Sequence, residues 1–91
     1  MPAGKATQTE ICQAAVCTPH DSTNNAVFGD RWANRLWVGV AGTVTIVGVD
    51  AAATTLQFPA VIAGRWHVMP PFQRVNDTNT AATGIVVGVT Y

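Results

Sequence analysis

The chain has 91 residues, with five basic and five acidic side chains, and only 11% of its residues are charged while 48% are hydrophobic. This length suits one small domain with a thin core. A neutral, charge-poor chain lacks the basic surface that nucleic acids and anionic membranes recognise, so neither is expected as a partner. No run of about 18 apolar residues occurs, which argues against a membrane-spanning helix.

The shortage of charge also bears on assembly. A soluble monomer ordinarily keeps a mixed charged surface and a net charge away from zero. This chain has neither, so we expect other subunits to cover part of its surface in a symmetric homo-oligomer. The alternative is a monomer whose solubility depends on its Thr, Asn and Gln side chains.

Residues 1–12 are expected to form an extended N-terminal arm, because the first nine are small or polar. The arm has no apolar stretch typical of a signal peptide, so the chain is expected to stay in the compartment where it is made. Cys12 and Cys17 are then predicted to be reduced thiols. On one extended strand they would also be too distant for a disulfide, whose Cα atoms must come within about 7 Å.

The segment after the arm fits either a helix or a strand by its apolar spacing. We predict a short strand over Gln13–Thr18, because Pro19 disfavours a helical conformation at the residue before it. The next segment, Thr18–Asn25, is rich in turn formers and predicts a loop. Gly29-Asp30 predicts a further turn.

The most regular apolar pattern lies in Leu36–Val49, LWVGVAGTVTIVGV. Apolar residues alternate on both sides of Ala41-Gly42, as in two strands. A tight reversal that contains glycine predicts that these strands pair directly as a β-hairpin. We expect the rest of the domain to pack against this hairpin and against the final run.

The C-terminal half alternates between short strands and turns. Strands are expected at Thr54–Phe58, Arg65–Val68, Gln73–Asn76 and Ile85–Tyr91, and reversals at Asp50–Ala53 and Asp77–Thr83. Pro70-Pro71 removes two consecutive ladder donors. Met69–Phe72 is therefore predicted to be an edge or a crossing segment rather than a central strand.

Strands at intervals of about 8–12 residues, with turn signals between them, are typical of an antiparallel sandwich or barrel. No segment has a convincing helical length. The chain is therefore predicted to be all-β. We expect a small antiparallel β-sandwich or jelly-roll-like barrel, formed by a single domain over residues 13–91 behind the extended arm 1–12.

Few side chains could support catalysis or hold a ligand. Glu10 is the only glutamate, and the four aspartates sit beside turn formers, where such side chains ordinarily bond the backbone. Cys12, Cys17 and His20 have a spacing that fits a zinc site poorly. His20 is expected to be solvated and His67 to be structural. We therefore predict no catalytic residues, no metal ion and no cofactor.

Three tryptophans are the remaining candidates for recognition, and they are Trp32, Trp37 and Trp66. Tryptophan supplies large, rigid area to protein cores and to interface centres. We expect the set to serve in these roles, with at least one tryptophan in the core. A stacking platform for sugars is the alternative.

Several segments, in order, resemble a small phage protein. These are TPHDST, then LWVGVAGTVTIV, LQFPAVIAG and finally QRVNDTNTAATGIVVGVTY. They are similar to the turn, hairpin, loop and last strand of the head spike base proteins of gene transfer agents and related tailed phages. The resemblance runs from about Val16 to Tyr91. Thr43 stands where the family usually has an acidic residue.

The resemblance implies a non-enzymatic virion protein on the outer capsid, assembled in the host cytoplasm. It would be a head spike base or a decoration (cement) protein, with the major capsid protein, further copies of itself and a spike fibre as partners. The alternatives are a carbohydrate-binding module for host recognition and a tail-associated structural protein. The predicted contact residues combine arm positions with interface-prone side chains: Lys5, Gln8, Trp66, Pro70, Pro71, Phe72 and Arg74.

Overall fold

The computed structural model describes residues 11–90, which form an all-β protein, as predicted. Within this range there is no helix, and so none that could cross a membrane. The strands, in chain order, are β1 (Ile11–Val16), β2 (Val27–Phe28), β3 (Arg31–Trp37), β4 (Gly42–Gly48), β5 (Thr55–Val61), β6 (Trp66–Val75) and β7 (Val86–Thr90).

The strands make one antiparallel sheet in the order β1-β7-β3-β6-β4-β5, and β2 pairs with β3 beside this path. β1 and β5 stand at the two ends of the order. Val87 of β7 and Val44 of β4 nevertheless belong to one core cluster, although β3 and β6 lie between their strands. The sheet therefore folds around a shared core, which is consistent with a small β-sandwich.

The core is built from side chains that alternate along the strands. The largest fully buried ones are Phe72, Leu36, Ile46, Val38, Val44, Val47, Val75, Val87 and Val89. Burying one such side chain contributes about 1.5–3 kcal/mol relative to leaving it exposed. In β7 the large buried side chains, Val87 and Val89, follow the two-residue period, whereas in β4 the consecutive residues from Val44 to Gly48 are all buried, so both faces of β4 are covered.

The hairpin predicted over Leu36–Val49 is wrong, because β3 and β4 do not pair. β6 lies between them and pairs with both. The loop between β3 and β4 instead forms hydrogen bonds with the segment before β7: Gly39 N–H donates to the carbonyl oxygens of Thr83 and Gly84, each at 3.0 Å. Alternation identified β4 correctly, but the strand predicted before Ala41-Gly42 overlaps β3 only at Leu36 and Trp37, because β3 starts at Arg31 and ends at Trp37. Alternation also carries no information about which strand is the neighbour.

β6 is longer and more central than predicted. It runs without interruption through Met69–Phe72, including Pro70-Pro71, and lies between β3 and β4, so the expectation of an edge or a crossing segment rather than a central strand is wrong. The first part of β6 pairs with β3 and the last part with β4. Between the Arg35–Val68 and Ala33–Phe72 pairs, β6 has three residues where β3 has one. The prolines occupy this irregularity, where no ladder donor is needed.

Other boundaries agree closely with the sequence. β1 begins at Ile11, two residues before the predicted start of the domain, and residues 1–10 lie outside the described range. The Gly29-Asp30 turn joins β2 to β3, with Gly29 at φ 63°. The reversal after β4 closes with a hydrogen bond from Ala53 N–H to the Asp50 carbonyl oxygen at 2.9 Å.

Candidate functional site: the outer apolar face

One face of β1, β7, β3 and β6 points away from the core and is largely apolar. Directly paired residues of an antiparallel sheet lie on the same face. One row across the four strands consists of Val16, Val86, Trp37 and Trp66, and the next of Ala14, Gly88, Arg35 and Val68. We call these two rows the outer apolar face.

The outer apolar face is open to solvent. Val16 is 82% exposed, Val68 is 77% exposed and Trp66 is 38% exposed. Single exposed valines are ordinary, but a contiguous set marks an interaction surface. Arg35 is the one charged side chain in the two rows, and its Nη1 donates to the carbonyl oxygen of Asn34 at 2.9 Å. The face is therefore suited to an apolar partner.

The indole of Trp66 occupies the space that a side chain at Gly88 would need. A Cβ placed on Gly88 would lie 3.1 Å from Cζ3 and 3.2 Å from Cη2 of Trp66. The same position would lie 3.2 Å from Cγ2 of Ile11. The indole thus extends from β6 across β3 to β7, where its six-membered ring contacts the backbone at Gly88.

Polar contacts border this face at the end of β7. Asn34 Nδ2 donates to Thr90 Oγ1 at 3.0 Å, and Thr90 N–H donates to Asn34 Oδ1 at 3.1 Å. Arg31 Nη2 donates to the Thr90 carbonyl oxygen, and its Nη1 lies 3.5 Å from Cys12 Sγ. An apolar centre with a polar rim is the usual anatomy of a protein interface.

The predicted contact residues lie in different parts of the structure. Trp66 lies on the outer apolar face, and Pro70 and Pro71 are exposed where β6 changes partner. Phe72 was wrongly predicted to be a contact residue: its side chain is fully buried in the core. Phe72 was chosen as an aromatic residue of a predicted edge or crossing segment, whereas β6 is an internal strand and the bulge that accommodates the prolines turns Phe72 inward.

The other predicted contacts add little to this surface. Arg74 is half-buried, and its Nε donates to Asn76 Oδ1 at 2.8 Å. Lys5 and Gln8 lie outside the described residues. Sequence reasoning missed Val16 and Val68, although their apolar character on short, alternating strands was a signal that could have found them.

No tryptophan is fully buried, so the expectation of a core tryptophan is wrong. Trp32 is 39% exposed and Trp37 is half-buried. Phe72 and Leu36 fill the centre of this thin core instead. Trp37 and Trp66 are directly paired between β3 and β6, which leaves two indoles side by side on the outer apolar face.

The histidines act in local structure. His20 is exposed, as expected, and its Nδ1 accepts hydrogen bonds from the N–H groups of Ser22 at 3.1 Å and Thr23 at 3.0 Å. His67 Nε2 donates to the carbonyl oxygen of Ile62 at 2.7 Å, the structural role predicted for it. Each ring thus bonds the backbone of its own neighbourhood.

Both cysteines are free thiols, Cys12 half-buried and Cys17 buried. Burial raises the pKa of the Cys17 thiol to about 11, because the charged thiolate would lose its hydration. Over residues 11–90, no group of three or more His, Cys, Asp or Glu side chains is placed to hold a metal ion.

Two aspartates accept hydrogen bonds from loop residues: Asp50 within its own turn, as its sequence context predicted, and Asp21 from the distant loop that contains Asp77 and Thr78. Asp50 accepts hydrogen bonds from the Thr54 hydroxyl at 2.7 Å and from Thr54 N–H at 3.0 Å, and these bonds lower the pKa of its carboxyl group. Asp21 accepts comparable bonds from Thr78 and Asp77, chiefly from the Thr78 backbone, with the same effect on its pKa. Both carboxylates are engaged in structure.

Comparison with known proteins gives no significant match to a family model, a curated protein or a solved structure.

Proposed function

We propose that this chain is a non-enzymatic structural protein of a tailed-phage virion. It binds the outer surface of the capsid as a head spike base or a decoration protein, and it stabilises the shell or anchors a fibre. Its partners are further copies of itself, the major capsid protein and, in a spike, the fibre. It is assembled in the host cytoplasm. The observation that carries the proposal is the outer apolar face.

The size of this face suits lattice binding. Adjacent strands lie about 4.8 Å apart, so a face four strands wide is about 15 Å across. Apolar area removed from water contributes about 25 cal/mol per Å², before the cost of immobilisation is deducted. So small a patch gives a weak contact by itself. Many copies on one shell, or several copies joined in an oligomer, bind together more strongly.

The composition and the resemblance support the same proposal. A charge-poor chain of zero formal charge depends on covered surface for its solubility. The turn and strand motifs from Val16 onward resemble a capsid-bound family. The Asp50 carboxylate bonds its own turn and the Asp21 carboxylate joins two loops, so both are engaged in structure.

Co-sedimentation with phage shells assembled without this protein tests the proposal. Wild-type chain is expected to pellet with the shells, and Val68→Asp is expected to weaken binding by about tenfold or more. Val40→Asp is the matched control, because Val40 is 59% exposed but lies outside the outer apolar face. Equal binding by both variants, or no binding by the wild type, would contradict the proposal. Binding to purified tails alone would favour a tail-associated role.

A carbohydrate-binding role is the second candidate, favoured by the Trp66 ring. Trp66 is 38% exposed, and the directly paired Trp37 extends the aromatic surface. A glycan array tests this with Trp66→Ala and, as control, Trp32→Ala, whose indole has nearly the same exposure. Glycan binding lost only in Trp66→Ala would support a lectin. An array without hits for the wild type would exclude the sugars tested.

A further inference from the structure

β1 leaves one edge of the sheet open. Along Gln13–Val16, no described strand pairs with β1 on the side away from β7. Natural monomers protect such edges with lysine, proline or bulges. β5, at the other end of the sheet, contains Pro59. β1 has a register irregularity between Ile11 and Gln13, but Gln13–Val16 are in regular register and carry neither charge nor proline.

The backbone groups at this edge can be assigned from the β1–β7 register. Cys17 N–H donates to the Ile85 carbonyl oxygen at 2.9 Å, so Cys17 belongs to a hydrogen-bonded pair. Such pairs alternate along an antiparallel ladder. Gln13 and Ala15 therefore bond to β7, whereas the N–H and C=O groups of Ala14 and Val16 point to the open edge.

A second copy of β1 matches these groups. In an antiparallel arrangement centred on Ala15, Ala14 of each copy stands opposite Val16 of the other, which gives four backbone hydrogen bonds about a two-fold axis. The outer faces of both copies then lie on the same side. The row through Ala14 in one copy continues into the row through Val16 in the other.

The charges near β1 suit the same arrangement. Arg31 lies at the N-terminal end of β1, beside Cys12. Asp77 lines a surface groove with Val16 and Thr18, at the C-terminal end of β1. Antiparallel pairing brings Arg31 of each copy toward Asp77 of the other, twice in a two-fold dimer. The formal charge of each chain is zero, so no net repulsion opposes association.

We infer that two copies of this chain dimerise by antiparallel pairing of their β1 edges, so that their outer apolar faces join into one surface. This inference rests on the proposed function and deepens it, because it names the contact between copies. The joined sheet presents to a shell twice the apolar area that a single copy presents.

Sedimentation equilibrium of the full chain over a range of concentrations tests the dimer. Wild type is expected to show a monomer–dimer equilibrium, and Val16→Lys to raise the dissociation constant by about tenfold or more, since lysine protects sheet edges. Gln57→Lys, on β5, is the matched control and should leave dimerisation unchanged. Ala14→Pro removes an outward N–H without removing a bond to β7, and it should also give monomers.

A charge exchange tests the orientation. Arg31→Glu and Asp77→Arg should each weaken self-association, since like charges then meet at both ends of the paired strands. Mixed together, these two variants should form a heterodimer, because both contacts regain opposite charges. Circular dichroism establishes that each variant is folded. A mixture that associates no better than its components would overturn the antiparallel arrangement.

The outcomes separate this inference from the proposed function. A dimer sensitive to Val16→Lys that ignores phage shells supports edge pairing and contradicts capsid binding. A chain that binds shells but stays monomeric at every concentration overturns edge pairing alone. A dimer that survives both Val16→Lys and Ala14→Pro also overturns it.

Discussion

The indole of Trp66 lies over Gly88, with β3 between their two strands, and a Cβ at Gly88 would come within 3.1 Å of the ring. This relationship gives the outer apolar face its shape. A side chain at residue 88 would lift the indole from the sheet, because the ring already occupies that volume. Gly88 and Trp66 therefore act as one unit, and a change at either position alters the candidate site.

Gly88→Val should displace Trp66 and destabilise the fold by about 1–3 kcal/mol, the range typical of overpacking. Thermal unfolding measures the loss, and tryptophan fluorescence should shift to longer wavelength as the indole becomes more solvated. Ala14→Val, at the exposed position on β1 that pairs with Gly88, is the control and should leave the unfolding temperature and the emission wavelength unchanged. An unaltered emission spectrum in Gly88→Val would show that the indole does not lie there.

Asn25 should be the most important polar side chain in the loop before β2. Its Oδ1 accepts a hydrogen bond from Val75 N–H at 2.8 Å, and its Nδ2 donates to the carbonyl oxygens of Thr18 at 2.8 Å and Val75 at 3.1 Å. Asn25→Ala removes the acceptor of Val75 N–H and the Asn25 donor to the Thr18 carbonyl oxygen, whereas the Val75 carbonyl oxygen still accepts from His20 N–H at 3.0 Å. We expect a loss of about 1–3 kcal/mol in urea denaturation.

Asn24→Ala is the control for this prediction. Asn24 makes one exposed side-chain contact, from Nδ2 to Gln73 Oε1 at 3.1 Å. Its replacement should change the free energy of unfolding by about 0.5 kcal/mol or less. If Asn25→Ala and Asn24→Ala lowered the free energy of unfolding equally, the hydrogen bonds of Asn25 to Val75 of β6 would not be the source of the stability.

Asp21 should make the free energy of unfolding fall as the pH is lowered into the acid range. Its carboxylate joins two loops by accepting hydrogen bonds from Thr78 N–H at 2.8 Å, Thr78 Oγ1 at 2.7 Å and Asp77 N–H at 3.0 Å. These bonds hold the pKa of the carboxyl group below its usual value. The folded-state pKa is therefore below the unfolded one, so the stabilisation is present above the unfolded pKa and lost as pH falls through the folded pKa.

Thermal unfolding of Asp21→Asn against pH tests this linkage. The variant should be less stable than wild type at neutral pH, and the difference should narrow below about pH 5. Asp30→Asn is the control, because Asp30 is exposed in the turn between β2 and β3. A constant difference between Asp21→Asn and wild type across the acid range would contradict the linkage.

Cys17 should titrate in the alkaline range. Its folded-state pKa is raised to about 11 by burial, so the neutral thiol stabilises the fold below the unfolded pKa, and this contribution is lost as pH rises through the folded pKa. Relative to Cys17→Ala, wild type should lose on the order of 2 kcal/mol from pH 9 to 11.

Thiol labelling at pH 8 provides a second measurement at this position. Cys12 is half-buried and should react first, whereas Cys17 should react only after unfolding. Labelling of both thiols at equal rates in the native protein would contradict the burial of Cys17.

The fold class, most strand positions and the turns could be predicted, because period-two patterns and turn residues act locally. Val87 and Val89 face the core as their alternation indicates, and Asp50 closes its turn. The neighbours of each strand could not be predicted, because pairing of β3 with β6 depends on long-range packing. Phe72 was misplaced because Pro70-Pro71 predicted an edge or crossing segment, whereas β6 is an internal strand.

The candidate site was predicted only in part. Trp66 was selected for its residue type, which interfaces favour. The row that joins Trp66 to Val16 exists only once β1, β7, β3 and β6 are placed side by side, and the sequence separates these strands widely. The contact between the Trp66 indole and Gly88 likewise depends on strands that are distant along the chain.

Cryo-electron microscopy of intact phage particles that carry this chain tests the central claim most directly. We predict density for the seven-stranded sheet on the outer capsid surface, with Val68 and Trp66 buried against another protein chain. The account would be contradicted if the particles showed no density for this chain on the outer capsid surface. It would also be contradicted if the chain were bound there with its outer apolar face open to solvent.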